Sequence, residues 1–254
     1  MATKQQGGDA GVLGHGGADH ISGLPDHLLH SILLRLPRGT IDAARTSVLS
    51  RRWRRVWAHL SEISFLEPAS SSSSRAVEAA LASCAAPTVT RLAIAVPSPS
   101  AACPAARVSG WLRFAARRLA GNLRLSLPAG YAHYDKEQEE AVLPVCEAAT
   151  SIDLHNVNRP LRFAAGGAFA ALAVLRLHKA RADGGELEDL LSSRCPRLRQ
   201  LVLEWTALRD DDRNGGDCHV ISIRSGSLRE LEIKNNDEFE GLLQVVTPEL
   251  RSLR

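Results

Sequence analysis

Aromatic residues are scarce in this chain, with 4 Trp, 2 Tyr and 5 Phe making up 4% of 254 residues. A surface that stacks nucleic-acid bases on aromatic rings is therefore not favoured. No apolar run approaches the roughly 18–20 residues that would span a membrane. Residues 1–18 are Gly-rich, lack the apolar core of a signal peptide and are expected to be disordered. The formal net charge of +3 is too small to indicate nucleic-acid binding by itself.

Closely spaced cysteines are also lacking. The five cysteines are an odd number, and they are Cys84, Cys103, Cys146, Cys195 and Cys218. A disulfide framework is not indicated, and a reducing compartment, cytoplasmic or nuclear, fits better. Cys195 lies between Arg194 and Arg197, a setting that could activate a thiol, but Pro196 directly after it favours a helix end.

Sequence signals for enzyme chemistry are missing as well. There is no Gly-rich phosphate loop, no Cys-x-x-Cys or His-x-x-x-His spacing for zinc, and no Gly-x-Ser-x-Gly elbow. Asp210, Asp211 and Asp212 lack the spaced ligands of a calcium loop and predict a solvated loop. We therefore expect a non-enzymatic protein without catalytic residues, metal or cofactor.

Three short helices are predicted near the N-terminus. The first begins at Pro25 and ends at Pro37. The second begins near Thr40, which suits an N-cap, and the third near Ser50. The first helix places its apolar residues on one face, and they are Leu28, Leu29, Ile32, Leu33 and Leu36. Fewer than 50 residues are marginally stable alone, so this unit is expected to have a partner.

An ordered set of residues runs through these helices. It comprises Leu24-Pro25, Leu28-Leu29, Ile32-Leu33 and Leu36-Pro37, followed by Arg45-Thr46-Ser47-Val48-Leu49-Ser50-Arg51-Arg52-Trp53. This order resembles the F-box, particularly its plant form, over residues 19–66. The resemblance implies docking onto the Skp-family adaptor and, through it, the cullin of an SCF-type cullin–RING ubiquitin ligase.

The resemblance also implies which side chains contact the adaptor or directly support that contact. They are Leu24, Pro25, Leu28, Leu29, Ile32, Leu36, Pro37, Val48, Leu49, Trp53 and Trp57. The alternative is that these apolar residues are simply the core of a three-helix unit, because helical periodicity does not separate a core from an interface. We also expect this surface to be free of the rest of the chain, which has its own core.

Residues 67–87 are predicted to link this unit to the next, with a flexible serine loop at 70–74 and a short Ala-rich helix. From residue 88 to 254, apolar pairs separated by one residue recur every 22 to 31 residues. The pairs are Leu92/Ile94, Leu123/Leu125, Ile152/Leu154, Leu175/Leu177, Leu201/Leu203 and Leu231/Ile233, and Leu253 begins another. Strands alternate their faces, so both members of a pair point into a shared core. The pattern resembles leucine-rich repeats.

The predicted fold class is α+β, a small three-helix F-box followed by an irregular leucine-rich-repeat α/β solenoid. Polar residues between and beside the pairs are expected on its concave side, where they would bind a protein target. These are Arg124, Asp153, His155, Arg176, His178, Gln200, Glu204, Glu230, Glu232 and Lys234. The two histidines are interpreted as binding residues rather than as catalytic bases.

The repeats depart from the usual pattern. The Asn or Cys expected three residues after the second apolar member is present only as Asn236, and the other units carry Pro97, Pro128, Val157, Ala180 and Thr206. Irregular repeats are therefore expected. The chain ends at Arg254 within a repeat-like strand, without a polar cap, so we expect the last strand to fray, in a truncated product or a natural short form.

Two further hypotheses stay open beside the substrate-recognition adaptor. Arg51, Arg52, Arg54 and Arg55 follow a helix and a turn, as in a nucleic-acid recognition helix. The F-box region carries a net charge of only +3, which is modest for binding phosphates. The other hypothesis is a repeat scaffold that serves no ligase. The sequence indicates neither a membrane partner nor the identity of the target.

Overall fold

A computed structural model describes residues 20–21, 23–66, 74–96, 104–127, 140–157, 160–209, 219–234 and 241–253. Within these ranges the chain is a mixed fold of six α-helices and fourteen β-strands. Some sequence expectations lie outside the described residues: those on residues 1–18, on most of the serine loop, on Pro97, Pro128 and Asn236, and on the acidic triplet at 210–212.

The N-terminal unit consists of helices α1 (Asp26–Leu33), α2 (Thr40–Arg45) and α3 (Arg51–Ala58), with a 3-10 turn at Thr46–Val48. Its core consists of buried side chains from all three helices and the residues after them, namely Leu29, Leu33, Ala43, Trp53, Val56 and Leu60. The predicted start of α3 is confirmed, because the Ser50 side chain accepts a hydrogen bond from the Trp53 N–H.

Two predicted helix limits are wrong. Helix α1 ends at Leu33, four residues before Pro37, and the chain continues in turns in which Leu36 N–H donates to Leu33 O at 3.2 Å. Thr40 is not an N-cap; it is the buried first residue of α2, after Gly39, whose φ is +55°. The Thr40 Oγ1 instead accepts a hydrogen bond from the Ser64 N–H at 2.8 Å, which ties α2 to the first strand.

The strands fall into three parallel sets. Their bounds are β1 (Glu62–Phe65), β2 (Val89–Ala95), β3 (Leu119–Ser126), β4 (Ala141–Leu143), β5 (Ser151–His155), β6 (Pro160–Phe163), β7 (Val174–His178), β8 (Arg181–Asp183), β9 (Gln200–Glu204), β10 (Ala207–Arg209), β11 (His219–Arg224), β12 (Glu230–Lys234), β13 (Gly241–Val246) and β14 (Ser252–Leu253). The largest sheet has the order β1-β2-β3-β5-β7-β9-β12-β14.

The predicted apolar pairs lie in register across this sheet. Their first members form one continuous row: Ile63, Leu92, Leu123, Ile152, Leu175, Leu201, Leu231 and Leu253. Pairs from Leu92/Ile94 to Leu201/Leu203 are buried, Ile233 is half-buried, and Leu253 at the sheet edge is exposed. The strand positions and inward faces predicted for the buried pairs are therefore confirmed. Strand β1 adds a pair, Ile63/Phe65, within the segment assigned to the F-box.

Return segments cover the inner face of this sheet. They include α4 (Ser74–Ser83), α5 (Ala105–Arg118), α6 (Gly184–Asp189), a π-helical turn (Leu190–Arg194) and the second sheet, in the order β10-β8-β6-β4. Leu187 of α6 and Leu190 and Leu191 of the π-helical turn are all buried. The second sheet was not predicted, because strands of three or four residues are too short to show an alternating pattern. Within the described residues, no helix is long and apolar enough to cross a membrane.

The turns after three neighbouring strands repeat one backbone geometry. Asn156, Lys179 and Trp205 have φ between +49° and +56°. The N–H of each donates to the last carbonyl of the next strand, at 2.8 to 3.0 Å. The following residues, Val157, Ala180 and Thr206, are buried. A backbone hydrogen-bond ladder thus satisfies these turns where the sequence lacks the usual Asn or Cys side chain.

Candidate adaptor-binding surface and polar sheet face

The N-terminal unit leaves several large apolar side chains exposed. Val48 is 85% and Leu49 65% exposed, in the turn between α2 and α3, while Leu28 and Ile32 on α1 are each about two-fifths exposed. We call these four residues the exposed apolar set. Apolar side chains that a small unit leaves in water are typical of protein-binding surfaces. Two further exposed residues of the same kind, Ile21 and Leu34, were not among the predicted contacts.

The predicted adaptor contacts divide between this surface and the core. Leu29 and Trp53 are buried inside the three-helix unit, and Leu24, Leu36 and Trp57 are half-buried around it. The exposed members of the predicted set are Pro25, Leu28, Ile32, Pro37, Val48 and Leu49. The two interpretations of the pattern therefore apply to different residues: part of it forms the core and part is available to a partner.

Helix α3 is held against the start of α1 by one arginine. The Arg52 guanidinium lies 2.7 Å from Asp26 Oδ1 and also donates to the Leu24 carbonyl. The hydrogen bond from Arg52 lowers the pKa of Asp26. Behind this contact, His30 Nε2 lies 3.0 Å from the Val56 carbonyl. Arg52 thus has a structural role in the unit. Fewer of the four arginines on α3 are therefore available to contact phosphates, as the nucleic-acid hypothesis requires.

The expectation that the predicted surface is free of the rest of the chain agrees with its exposed residues but not with Trp57. Ile41 and Trp57 pack against the core beneath the large sheet, and β1, which directly follows α3 and Leu60, pairs with β2. A cleft of about 380 Å³ lies at this junction, and its lining includes Leu36, Pro37, Thr40, Leu60, Ser64 and Leu66. Some apolar side chains of the helical unit therefore pack against the sheet, and others are exposed to solvent.

The ten predicted target-binding residues share the outer face of the large sheet, which we call the polar face. All are half-buried or exposed. In register, Arg124 lies beside Asp153 and then Arg176, and His155 lies beside His178 and then Glu204. The polar face is therefore one continuous surface, as the alternation of strand residues predicts.

Neighbouring side chains on the polar face are paired. His155 Nε2 lies 2.6 Å from Asp153 Oδ1, and His178 Nδ1 lies 3.1 Å from Glu204 Oε2. Arg176 donates to Gln200 Oε1 at 2.6 Å, and Gln200 donates to Glu230 at 3.0 Å. The His155–Asp153 contact lies within β5, and the other contacts link strands β7, β9 and β12. They fix the orientation of polar groups, as a recognition surface requires.

The charges on this face are unevenly distributed. Arg91, Arg124 and Arg176 lie on β2, β3 and β7, and Glu62 and Asp153 neighbour the first two of them. Glu204, Glu230 and Glu232 lie on β9 and β12, where Lys234 is the basic residue. A partner that spans the face would therefore meet a region of both signs and then a mainly acidic region.

Two cysteines in the described part of the chain have weakly acidic thiols. Burial raises the pKa of the Cys195 thiol to about 12, despite the opposing effect of Arg194, and raises that of Cys146 to about 11. Neither cysteine is therefore a reactive thiolate at neutral pH. Among the described residues there is no group of three or more His, Cys, Asp or Glu side chains that could hold a metal ion.

Comparison with known proteins identifies the N-terminal unit. The family model of the F-box domain matches residues 21–64. The chain carries an F-box domain. The prediction of a plant-type F-box protein is thereby confirmed, since the similar proteins include several F-box proteins of Arabidopsis thaliana. The matched F-box residues span all three helices and most of β1.

One of these relatives aligns with nearly the whole chain. It is F-box protein At5g03100 of Arabidopsis thaliana, 27% identical over 243 residues, which cover 94% of this chain and 70% of the relative. F-box/LRR-repeat protein 13 of the same plant is 60% identical over 42 residues, 16% of this chain and 9% of the relative. F-box/LRR-repeat protein 25 is 50% identical over 48 residues, 19% of this chain and 18% of the relative. No solved structure matches the chain.

Proposed function

We propose that this chain is the substrate-recognition subunit of an SCF-type ubiquitin ligase. An F-box domain and F-box relatives indicate a receptor role of this kind in general. The observation that carries the proposal is the exposed apolar set on the F-box, which would dock onto the Skp-family adaptor and, through it, the cullin. F-box proteins are generally non-catalytic adaptors, and the proposed role here is likewise non-enzymatic.

The remaining strands are proposed to be irregular leucine-rich repeats that form a solenoid. Support comes from the regular row of apolar residues across eight parallel strands, seven of which carry a pair, and from the repeated left-handed turn after β5, β7 and β9. Strands β2 to β9 of the large sheet bury their apolar pairs against their neighbours, which no single repeat could do alone.

Protein targets are proposed to bind on the polar face. Half-buried, mutually hydrogen-bonded side chains such as Arg176 and Gln200 are already ordered before a partner arrives, so little side-chain entropy is lost on binding. The subunit would then act by proximity, because a target held beside the charged carrier enzyme has a high effective concentration. The proposal includes a cytoplasmic or nuclear location.

A pull-down with paired variants tests the two surfaces separately. The full chain is co-expressed with a Skp-family adaptor and a cullin, and co-purification of both is expected. Leu28→Asp with Ile32→Asp should abolish recovery of both partners, because charges would replace the apolar contact. Arg176→Ala with His178→Ala on the polar face should leave recovery unchanged. Equal recovery with the first variant would refute the proposal, as would failure of the unmodified chain to recover the adaptor.

The nucleic-acid hypothesis is tested on the same purified chain. Binding of duplex DNA and RNA is measured from 50 to 200 mM salt, since phosphate contacts produce a steep decrease in affinity with salt. The proposed receptor is expected to bind neither at 200 mM salt. Affinity that falls steeply with salt and is lost on Arg54→Ala with Arg55→Ala would favour the nucleic-acid function.

A further inference from the structure

A repeated four-residue motif precedes three strands of the large sheet. Leu-Arg-x-Leu occurs as Leu198-Arg199-Gln200-Leu201, Leu228-Arg229-Glu230-Leu231 and Leu250-Arg251-Ser252-Leu253. Each arginine directly precedes its strand, β9, β12 or β14. The leucines of the motif face the core, as Leu198, Leu201, Leu228 and Leu231 do. The motif therefore places one arginine at the same point of three adjacent strands.

Backbone hydrogen bonds hold these positions together. The Arg229 N–H donates to the Arg199 carbonyl at 2.9 Å, and the Arg251 N–H donates to the Arg229 carbonyl at 2.8 Å. Adjacent strands in a sheet lie about 4.8 Å apart. The backbone positions of Arg199, Arg229 and Arg251 are therefore adjacent in one short row. We call these three residues the arginine row.

These arginines have no internal counter-ion in the described part of the chain. Several other arginines are paired, as Arg124 is with Asp153 and Arg107 with Glu78. No salt bridge or side-chain hydrogen bond links the arginine row, or Arg197 beside it, to any described residue. The three residues are adjacent in the backbone, and an anion bound between their side chains would offset the repulsion between like charges.

A cleft with room for such an anion lies at two members of the row, Arg199 and Arg229. Its volume is about 520 Å³, and its lining includes Arg197, Arg199, Arg229, Gly226, Ser227 and Glu249. Three guanidinium groups and one carboxylate give the cleft a net positive charge. The Ser227 hydroxyl donates its proton to the Leu198 carbonyl at 2.9 Å. It can therefore accept a further hydrogen bond but cannot donate one to an anion. The arginines are therefore the donors available to an anion.

We propose that this cleft binds a ligand that presents phosphoryl groups. Guanidinium is planar and donates two parallel hydrogen bonds to phosphoryl oxygens, which makes arginine suited to this chemistry. An anion with several phosphoryl oxygens can contact arginines of two adjacent strands at once, whereas a single carboxylate offers only two oxygens. The cleft lies at the entry end of the strands. It is distinct from the F-box surface, and the proposal does not depend on adaptor docking.

The test measures binding to the full chain by isothermal titration calorimetry at low salt. The probes are pyrophosphate, to represent a free ligand, and a short peptide with two adjacent phosphoserines, to represent a phosphorylated protein. Arg199→Gln with Arg229→Gln should weaken binding of the responding probe at least about tenfold, because each charge-assisted hydrogen bond is strong. Arg75→Gln with Arg117→Gln is the matched control: it removes two exposed arginines of α4 and α5 and should leave affinity unchanged.

A third variant distinguishes binding from misfolding. Glu249→Gln removes the carboxylate of the cleft and should tighten binding roughly two- to fivefold, a gain that a folding defect would not produce. Response to pyrophosphate supports a free ligand, and response to the phosphopeptide alone supports a phosphorylated protein. Absence of binding by both probes, or equal losses in the arginine-row variant and its control, would overturn the proposal.

Discussion

Asp153 and His155 form a close contact on the polar face, with 2.6 Å between Oδ1 and Nε2. Burial by itself raises the pKa of Asp153, but the contact with His155 and the charges of Arg124 and Arg176 outweigh it, and the pKa is lowered. The His155 ring also lies 5.1 Å from that of His178 on the next strand. The aspartate is therefore an ionised centre around which the basic and imidazole groups of three strands are arranged.

This pair predicts a pH-dependent contribution to stability. A carboxyl group with a lowered folded-state pKa stabilises the fold above its unfolded-state pKa of about 3.9, and the contribution is lost as the pH falls, since the unfolded chain takes up the proton first. Asp153→Asn should therefore reduce the free energy of unfolding by about 1 kcal/mol at pH 7, a value discounted for solvent screening. Denaturant unfolding at pH 7 and pH 3 should show that this difference shrinks in acid; a difference that grows in acid would contradict it.

Two adjacent leucines should respond differently to truncation. Leu29 is fully buried in the F-box core, whereas Leu28 is 41% exposed. Leu29→Ala should lower the stability of the F-box by about 2–5 kcal/mol, because it opens a cavity. Leu28→Ala should lower it by less than about 1 kcal/mol. Hydrogen exchange of the amides in α1 and α3 measures both, and similar losses of protection in the two variants would show that the division into core and surface is wrong.

Two glycines provide a second matched pair. A Cβ on Gly121 in β3 would lie 2.0 Å from the Thr90 carbonyl oxygen, whereas one on Gly110 in α5 would meet nothing within 4 Å. Gly121→Ala should therefore destabilise the protein by about 1–3 kcal/mol through overpacking. Gly110→Ala should stabilise it by about 0.5–1 kcal/mol, because alanine favours the helix. Thermal unfolding of the two variants should shift the midpoint in opposite directions, and a shift of the same sign would count against the packing of β2 on β3.

Buried thiols should be unreactive in the folded chain. Cys146 and Cys195 are buried, with pKa values raised to about 11 and about 12, so almost no thiolate exists at pH 8. Iodoacetamide at pH 8 should leave both unmodified in the native protein and modify both in denaturant, as read by mass spectrometry. Rapid native labelling of Cys195 would instead indicate the activated thiol that Arg194 and Arg197 first suggested.

Much of the strand arrangement was predictable because alternation in a strand is a strong constraint. Both members of Leu175/Leu177 and of Leu201/Leu203 lie on the inward face of their strand. A shift of the strand register by one residue would expose both pairs. The polar face followed from the same rule, and Arg176 and Gln200 lie on it as expected. Helical periodicity was less decisive. Leu28 and Leu29 belong to one apolar stripe, and only packing shows which of them is buried.

Other features had weak or overlooked sequence signals. Strand β1 lay within the F-box match, so its Ile63/Phe65 pair was not recognised as part of the sheet. The turns at Asn156, Lys179 and Trp205 have no shared side chain, since the backbone makes the repeated hydrogen bonds. The arginine row was visible as a Leu-Arg-x-Leu repeat, but its meaning required the in-register strands and the cleft beside them.

Affinity for the Skp-family adaptor tests the central claim most directly. Biolayer interferometry compares the unmodified chain with Val48→Asp plus Leu49→Asp, two exposed positions at which substitution should hardly change stability. Val142→Asp, at a similarly apolar exposed position on β4, is the matched control. We predict that the double variant binds at least about a hundredfold more weakly, as expected for two interface hot spots, and that the control binds normally. Unchanged affinity of the double variant would contradict the proposed adaptor surface.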